Sequence, residues 1–311
     1  MLALFIPWFL LLVLFVVIVL LIRKKWKASI ILFVVMLALN WWYKCIPFRL
    51  YGLDDTNDSS RLKIMCFNID GSSGDVIEKA KNIKELIKKI SPNIVFIAEF
   101  NEQFPKPLHS ALKDGFLYTT YPDHLFFQYF YSNYPLFNSR RLKDSDGKDI
   151  GAYACSTVIQ GDTIDLYGCH FASNNYNELY ERQSLEDIRG QESILTYINN
   201  IQTSGNRRKI EAITIIHEMS KSSYQAIVLG DMNDVYGSSA LNELKTRGLI
   251  DAWWEGGFGY GATIHKPLPY RIDHIMHTNG LELQSIRVID SNGISDHDAL
   301  YAEFNLKEWH P

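Results

Sequence analysis

The sequence predicts an α/β domain, a mixed β-sheet system covered by helices, behind an apolar N-terminal segment that reads as a two-helix membrane hairpin. Three observations lead there: short apolar runs outnumber amphipathic ones, the two kinds alternate in both orders, and the first 22 residues carry no charge. The chain has 311 residues and a formal net charge of −4. Six of its 31 Lys and Arg lie in residues 1–50, which hold no Asp or Glu, so residues 51–311 set 25 bases against 35 acids. A body of net charge −10 is a poor electrostatic partner for a long polyanion. Ordinary Gly and Pro content and only four Cys exclude collagen-like, disordered and disulfide-scaffold classes.

Residues 1–22 are apolar throughout apart from Pro7, long enough for a helix to cross a hydrocarbon core. Arg23-Lys24-Lys25-Trp26-Lys27 follows, then a second apolar run from Ala28 to Trp42 that, extended to Ile46 with Lys44 snorkelling, approaches the same length. Trp41, Trp42 and Tyr43 suit a membrane interface. A cleaved signal peptide would place its bases before a shorter apolar stretch, and here they come after it. Residues 1–46 are therefore read as a multi-pass anchor in the cell membrane. The bases in the connection put it in the cytoplasm, which leaves the rest of the chain extracytoplasmic. Residues 47–60, with Gly52, Asp54, Asp55, Asp58, Ser59 and Ser60, read as a linker, and residues 61–311 as the catalytic domain.

Within that domain, residues 62–69 (LKIMCFNI) form an apolar run that stops at Asp70-Gly71, a buried strand ended by a turn. Val76, Ile77, Ala80, Ile83, Ile87 and Ile90 then recur at helical spacing, with Lys residues on the other face, over 75–90. Ser91-Pro92 ends this helix, and residues 93–100 (NIVFIAEF) complete a β-α-β unit. Further strands are expected at 126–131, 152–160 and 163–169, the last two joined by a turn at Gly161-Asp162. Residues 178–220 read as helical with a break near Ser204-Gly205-Asn206, followed by strands at 226–229, 271–277 and 300–304.

Polar residues recur where these apolar runs end: Asn68 and Asp70, Glu99, His170, Asp231 and Asn233, Asp273, and Asp296-His297. A carboxylate at the end of a buried strand is costly unless it is paired, hydrogen-bonded or bound to a cation. Oxygen donors without a Cys partner suit a hard ion such as Mg²⁺ or Mn²⁺, and the two histidines add acid/base capacity. Any one of these residues is more often a turn former or cap, so the set carries the argument.

The segments FNIDG (67–71), IAEF (97–100), CHF (169–171), LGDMND (229–234), RIDHI (271–275) and SDH (295–297) occur in the order found in the endonuclease/exonuclease/phosphatase superfamily of DNase I-like proteins, which the chain resembles over residues 61–306. YSNYPL (131–136) is similar to that family's serine-tyrosine-proline turn and GATI (261–264) to its Gly-x-Thr element. The resemblance implies a four-layered sandwich of two mixed sheets flanked by helices, and a divalent-metal-dependent phosphoester hydrolase. It implies Glu99 as principal metal ligand with Asn68, Asp70 and Asp296. Asp231 and Asn233 would position or deprotonate the attacking water, His297 oriented by Asp273 would contact the phosphate, and His170 would be a second phosphate-contacting or acid group. Three positions depart from the pattern: Ala98 where Gln is common, Asn133 where a base is common, and Ala299 after SDH.

Nuclease, phosphatase and lipid-headgroup hydrolase stay open as substrate readings, with a non-catalytic membrane-tethered scaffold as the alternative. The runs Arg140, Arg141, Lys143 and Arg207, Arg208, Lys209 are candidate basic patches, and Trp253-Trp254 is either an interfacial anchor or packing beneath a loop. Cys155 and Cys169 could be neighbours in a sheet; buried free thiols are the default for Cys66, Cys155 and Cys169. No protein partner follows from the sequence.

Overall fold

Side-chain alternation sets the layers. The computed structural model describes residues 2–43, 46–47, 61–71, 74–99, 105–112, 114–120, 128–174, 191–265 and 268–306. Its strands are β1 (Leu62–Asn68), β2 (Ile94–Ala98), β3 (Tyr118–Thr119), β4 (Gln128–Ser132), β5 (Leu136–Lys143), β6 (Asp149–Ile159), β7 (Asp162–His170), β8 (Gln225–Asp231), β9 (Ile250–Asp251), β10 (Asp273–His277), β11 (Leu281–Ile289) and β12 (Ala299–Leu306). They form two six-stranded mixed sheets, ordered β11-β12-β1-β2-β4-β3 and β5-β6-β7-β8-β10-β9. In β1, Leu62, Ile64 and Cys66 face the core between the sheets, while Met65 and Phe67 face the other way, onto α3 (Val76–Ile90) and α4 (Pro105–Leu112). In β8, Ile227 and Leu229 face the same central core, while Ala226 and Val228 pack under α5 (Gln191–Met219) and α6 (Ser239–Thr246). Helix, sheet, sheet and helix thus make the four layers.

Each sheet has one parallel pair at its centre, β1/β2 and β7/β8, flanked by antiparallel strands. The carboxyl ends of those four strands lie at one edge, joined there by the start of the antiparallel β10. The sheets are wedged apart by Phe96, fully buried and 4.9 Å ring to ring from Phe130. Glycine makes room for it: a Cβ at Gly168 would fall 2.1 Å from the Phe96 ring, and one at Gly230 2.8 Å from it.

Several expectations shift in register. The β6–β7 hairpin turns at Gln160-Gly161, both at positive φ, because Ile159 pairs with Asp162. Residues 204–206 do not break α5, which runs through them; tertiary packing and the Ser204 hydroxyl, donating to the Ser173 carbonyl at 2.9 Å, outweigh the low propensity of Gly205. The expected helical stretch before Gln191 lies outside the described residues. Cys155 and Cys169 do sit on neighbouring strands, but Cys155 points into the central core and Cys169 under the helices, so both are free thiols on opposite faces.

Two N-terminal helices, α1 (Leu2–Ile22) and α2 (Trp26–Tyr43), pack together, and the Ser29 hydroxyl donates to the Val17 carbonyl at 3.3 Å. Among the described residues, α1 is the one helix long and apolar enough to cross a membrane; the apolar stretch of α2, Trp26–Trp41, is shorter. α2 does not continue to Ile46. The Asn40 amide takes the Ile46 backbone instead, donating to its carbonyl at 2.8 Å and accepting from its N–H at 3.0 Å, just before Pro47. At its other end, α1 touches the sheet domain: Ala3 and Leu4 pack with Ile201 and Val235, against Tyr270 and Ile272.

Candidate active site

β7 and β8 set His170 beside Asp231, and β10 sets Asp273 on the other side of Asp231. Asp231 is buried and tied down from three directions. Its Oδ2 accepts from the Asn68 amide at 2.9 Å, its Oδ1 from the Asn233 backbone at 2.7 Å, and its carbonyl from the Phe171 N–H at 2.9 Å. The Asn233 side-chain amide donates to the Phe171 carbonyl at 2.9 Å, and its φ of 50° puts the turn after β8 in the left-handed region Asn tolerates. His297, from the segment before β12, holds Asp273 Oδ2 through Nδ1 at 2.9 Å, and its Nε2 lies 3.8 Å from Asp231 Oδ2. His170 Nε2 approaches Glu99 Oε1 to 2.9 Å and Asp231 Oδ2 to 4.0 Å.

The charges compensate one another. Burial would drive His297 down, but Asp273 at hydrogen-bonding distance, with Asp231 and Asp296, carries it up to about 10. Burial would raise Glu99, yet the His170 contact, the Asn68 amide and His297 bring it down to about 2. Burial also opposes a charge on His170, and Glu99 and Asp231 reverse that. Asp231 stays raised, by burial first and then by Asp273, with the two histidines pulling against them.

Nearer solvent, Asp70 and Asp296 face Glu99. Burial raises Asp296, and the Asp70 and Glu99 charges add to this, a repulsion that a cation relieves. Glu99 and Asp70 both have positive φ, 61° and 42°, at strand ends where the chain turns sharply. Asn68 offers its amide oxygen to the Asp70 N–H at 3.0 Å, which leaves one of two lone pairs. Carboxylates and an amide oxygen are donors for a hard divalent ion, so Glu99, Asp70, Asp296 and Asn68 fit Mg²⁺ or Mn²⁺. The tightest donor clusters among the described residues are Glu99, His170, Asp231 and Asp231, Asp273, His297. Asp273 Oδ1 in the second is buried without a hydrogen-bond partner.

A model of the endonuclease/exonuclease/phosphatase family matches residues 65–297. The chain belongs to that family. Solved structures give the same fold. A humanized D. rerio TDP2 is 16% identical with a TM-score of 0.60, over 79% of this chain and 100% of that one. A family member from Bacteroides vulgatus is 17% identical with a TM-score of 0.58, over 80% and 100%. D. rerio TDP2 complexed with single-strand DNA product is 16% identical with a TM-score of 0.56, over 80% and 100%. A search of curated proteins finds no match. Family membership supports phosphoester hydrolysis.

The structure gives Ser295 and Thr263, which lie in the SDH and GATI segments, positions that those segments alone do not state, and adds groups outside them. Ser295 donates to the Asn68 carbonyl at 2.8 Å and accepts from the His297 N–H at 3.1 Å, joining the two halves of the pocket. The Thr263 hydroxyl accepts from the Ile272 and Asp273 N–H groups at 3.2 and 3.1 Å. Lys79, on the buried face of α3, donates to the Asp70 carbonyl at 2.6 Å; burial lowers it against the pull of Asp70, Asp296 and Glu99. Its signal was present, a Lys four residues before Ile83 within the apolar stripe. Glu211 accepts from the Gly151 and Ala172 N–H groups, bracing the end of β7.

The basic runs are not a patch for polyanions. Arg140 pairs with Glu218, Arg141 and Lys143 with Asp149, Arg207 with Asp144, and Lys209 with Glu243. Arg208 is buried; its Nε donates to Asp234 at 3.0 Å and its Nη1 to the Ala172 carbonyl at 2.9 Å, clamping the loops after β7 and β8. Trp253 is buried beneath a loop and Trp254 stacks on Tyr236, so neither is an interfacial anchor. Ala98 faces the central core and Ala299 packs under α3, so these two of the three departures from the family pattern are packing positions.

Proposed function

We propose that this chain is a membrane-anchored phosphoester hydrolase using Mg²⁺ or Mn²⁺. Residues 1–46 form the hairpin, residues 47–60 the linker and residues 61–311 the catalytic domain, held outside the cytoplasm. The observation that carries the reading is the placement of Asp231 between two histidines, each held by a second carboxylate. A bound Mg²⁺ or Mn²⁺ would offset the charge that develops on the phosphoryl oxygens. Glu99 would be its principal ligand, with Asp70, Asp296 and Asn68. His297, kept as an imidazolium by Asp273, donates to a phosphoryl oxygen. Asp231, raised toward neutrality, accepts a proton from the attacking water, and Asn233 orients that water. His170, bridging Glu99 and Asp231, is a second donor to the phosphate.

The test is hydrolysis of bis(4-nitrophenyl) phosphate and 4-nitrophenyl phosphate by the full chain in detergent, with Mg²⁺ or Mn²⁺ and then with chelator. Chelator removes the activity, and so do Glu99→Ala and Asp231→Ala, with the circular dichroism spectrum retained. Wild-type turnover in both variants overturns the assignment. A folded, metal-supplied protein that hydrolyses neither compound points to the scaffold reading.

A further inference from the structure

The N-terminal helix meets the domain at the rim of the catalytic pocket. Ala3 and Leu4 pack with Val235, two residues beyond Asn233, and against Ile272, the neighbour of Asp273. Trp8 meets Tyr270 edge-on, ring centres 6.1 Å apart. The chain leaving α2 returns to the same side, where the Pro47 carbonyl accepts from the Gly259 N–H at 3.0 Å. Tyr260 shares a cleft with Ala3 and Pro7. The domain-side ends of both helices therefore converge on the segment 257–272, which carries Thr263 and runs into Asp273.

That segment presents apolar side chains. Phe258 is 70% exposed and Leu268 45%. Phe258 is held out by a rigid arch: a Cβ at Gly257 or Gly261 would fall 2.5 or 2.2 Å from the Trp253 indole, Gly261 has φ +64°, and the indole N–H donates to the Gly259 carbonyl at 3.1 Å. Geometry along the membrane normal sets how close these side chains lie to the bilayer. With the helix up to Trp8 lying against the domain, the rest of α1, ending at Ile22, spans roughly 21 Å, short of a hydrocarbon core of about 30 Å. Crossing the core therefore takes the domain-bound turns of α1 as well, and these bring the rim they pack against down to the bilayer surface.

We propose that the face carrying Phe258 and Leu268 is seated in the interfacial layer of the membrane, and that the pocket beside it takes the phosphoester of a lipid headgroup. The inference rests on the membrane-anchored phosphoesterase reading above. The acidic body, −10 over residues 51–311, favours zwitterionic over anionic lipid surfaces.

Two measurements on the full chain in vesicles of phosphatidylcholine, phosphatidylethanolamine or sphingomyelin test it. First, a bimane label on Phe258→Cys, in a Cys45→Ser background, is quenched by nitroxide lipids labelled near the headgroup and shielded from aqueous iodide. Quenching by iodide with none by lipid overturns the placement. Second, Phe258→Ser with Leu268→Ser lowers headgroup release from vesicle lipid about tenfold and leaves soluble bis(4-nitrophenyl) phosphate turnover unchanged. Equal effects on both substrates, or no release from any of the three lipids by protein that cleaves the soluble diester, overturn the substrate assignment. Loss of the soluble reaction in the unmutated protein would fault the phosphoesterase reading, and the label would still decide where the rim sits.

Discussion

Asp273→Asn asks whether one buried carboxylate keeps His297 charged. Burial pushes the imidazole down, and Asp273, 2.9 Å away, is the largest influence in the opposite direction; with Asp231 and Asp296 it takes the group from 6.5 to about 10. At 1.36 kcal/mol for each pH step, the folded protein prefers the imidazolium by about 5 kcal/mol. Because the folded value lies above the unfolded one, this contribution to stability is complete below pH 6.5 and is lost as pH rises through about 10. The unfolding free energy of the wild type therefore falls across that window, by up to about 1.4 kcal/mol per pH step from this group. Asn fills the same space without the charge. The variant should lose about 3–5 kcal/mol near neutral pH, the cost of breaking a buried pair, along with most of that slope. Urea unfolding of the full chain in detergent, followed by tryptophan fluorescence at a series of pH values, measures both, and the His297 ring signals in NMR report the protonation directly. An unchanged slope in the variant would show that Asp273 does not hold the charge.

Two further substitutions test the frame around the site. Gly168→Ala pushes a methyl to 2.1 Å from the Phe96 ring and should cost about 1–3 kcal/mol in chemical denaturation; Phe96→Leu added to it should recover part of the loss, and strictly additive effects would mean the two side chains do not meet. Arg208→Met leaves Asp234 charged and buried without its partner, so thermal unfolding should register a loss of about 3–5 kcal/mol. A variant as stable as the wild type would remove Arg208 from the support of the β7 and β8 loops.

The legible elements were those whose residues agree locally with their surroundings. β1, β2 and β8 are buried on both faces and read as continuous apolar runs, and α3 carries its stripe and the Asp75 cap, whose side chain accepts from the Ile77 and Glu78 N–H groups. β5 was missed because an edge strand of sequence LFNSRRLK, largely exposed, has no apolar alternation to read. Arg140 of this strand and Arg207 of α5 read as parts of basic patches because the acids that neutralise them, Glu218 and Asp144, lie 78 and 63 residues away in sequence. Lys79 reads as part of a helix's polar face, Arg208 as one of a basic run, and Glu211 draws no reading, since a helix pattern does not say which polar side chains the neighbouring strand ends will bury.

Residue types and their order along the chain determined the family, the strand ends that carry polar groups, and the presence of an apolar segment long enough to cross a membrane; all of these are local, because an apolar run and the polar residue that ends it are neighbours in sequence. Tertiary structure alone decided which of those polar groups meet. Parallel pairing at the centre of each sheet brings four strand ends to one edge, and two glycines let Phe96 set the spacing between the sheets. The same packing decided what each charge does. Whether a carboxylate titrates low like Glu99 or high like Asp231 depends on how deeply it is buried and which cation faces it across the gap, and both are properties of the folded arrangement.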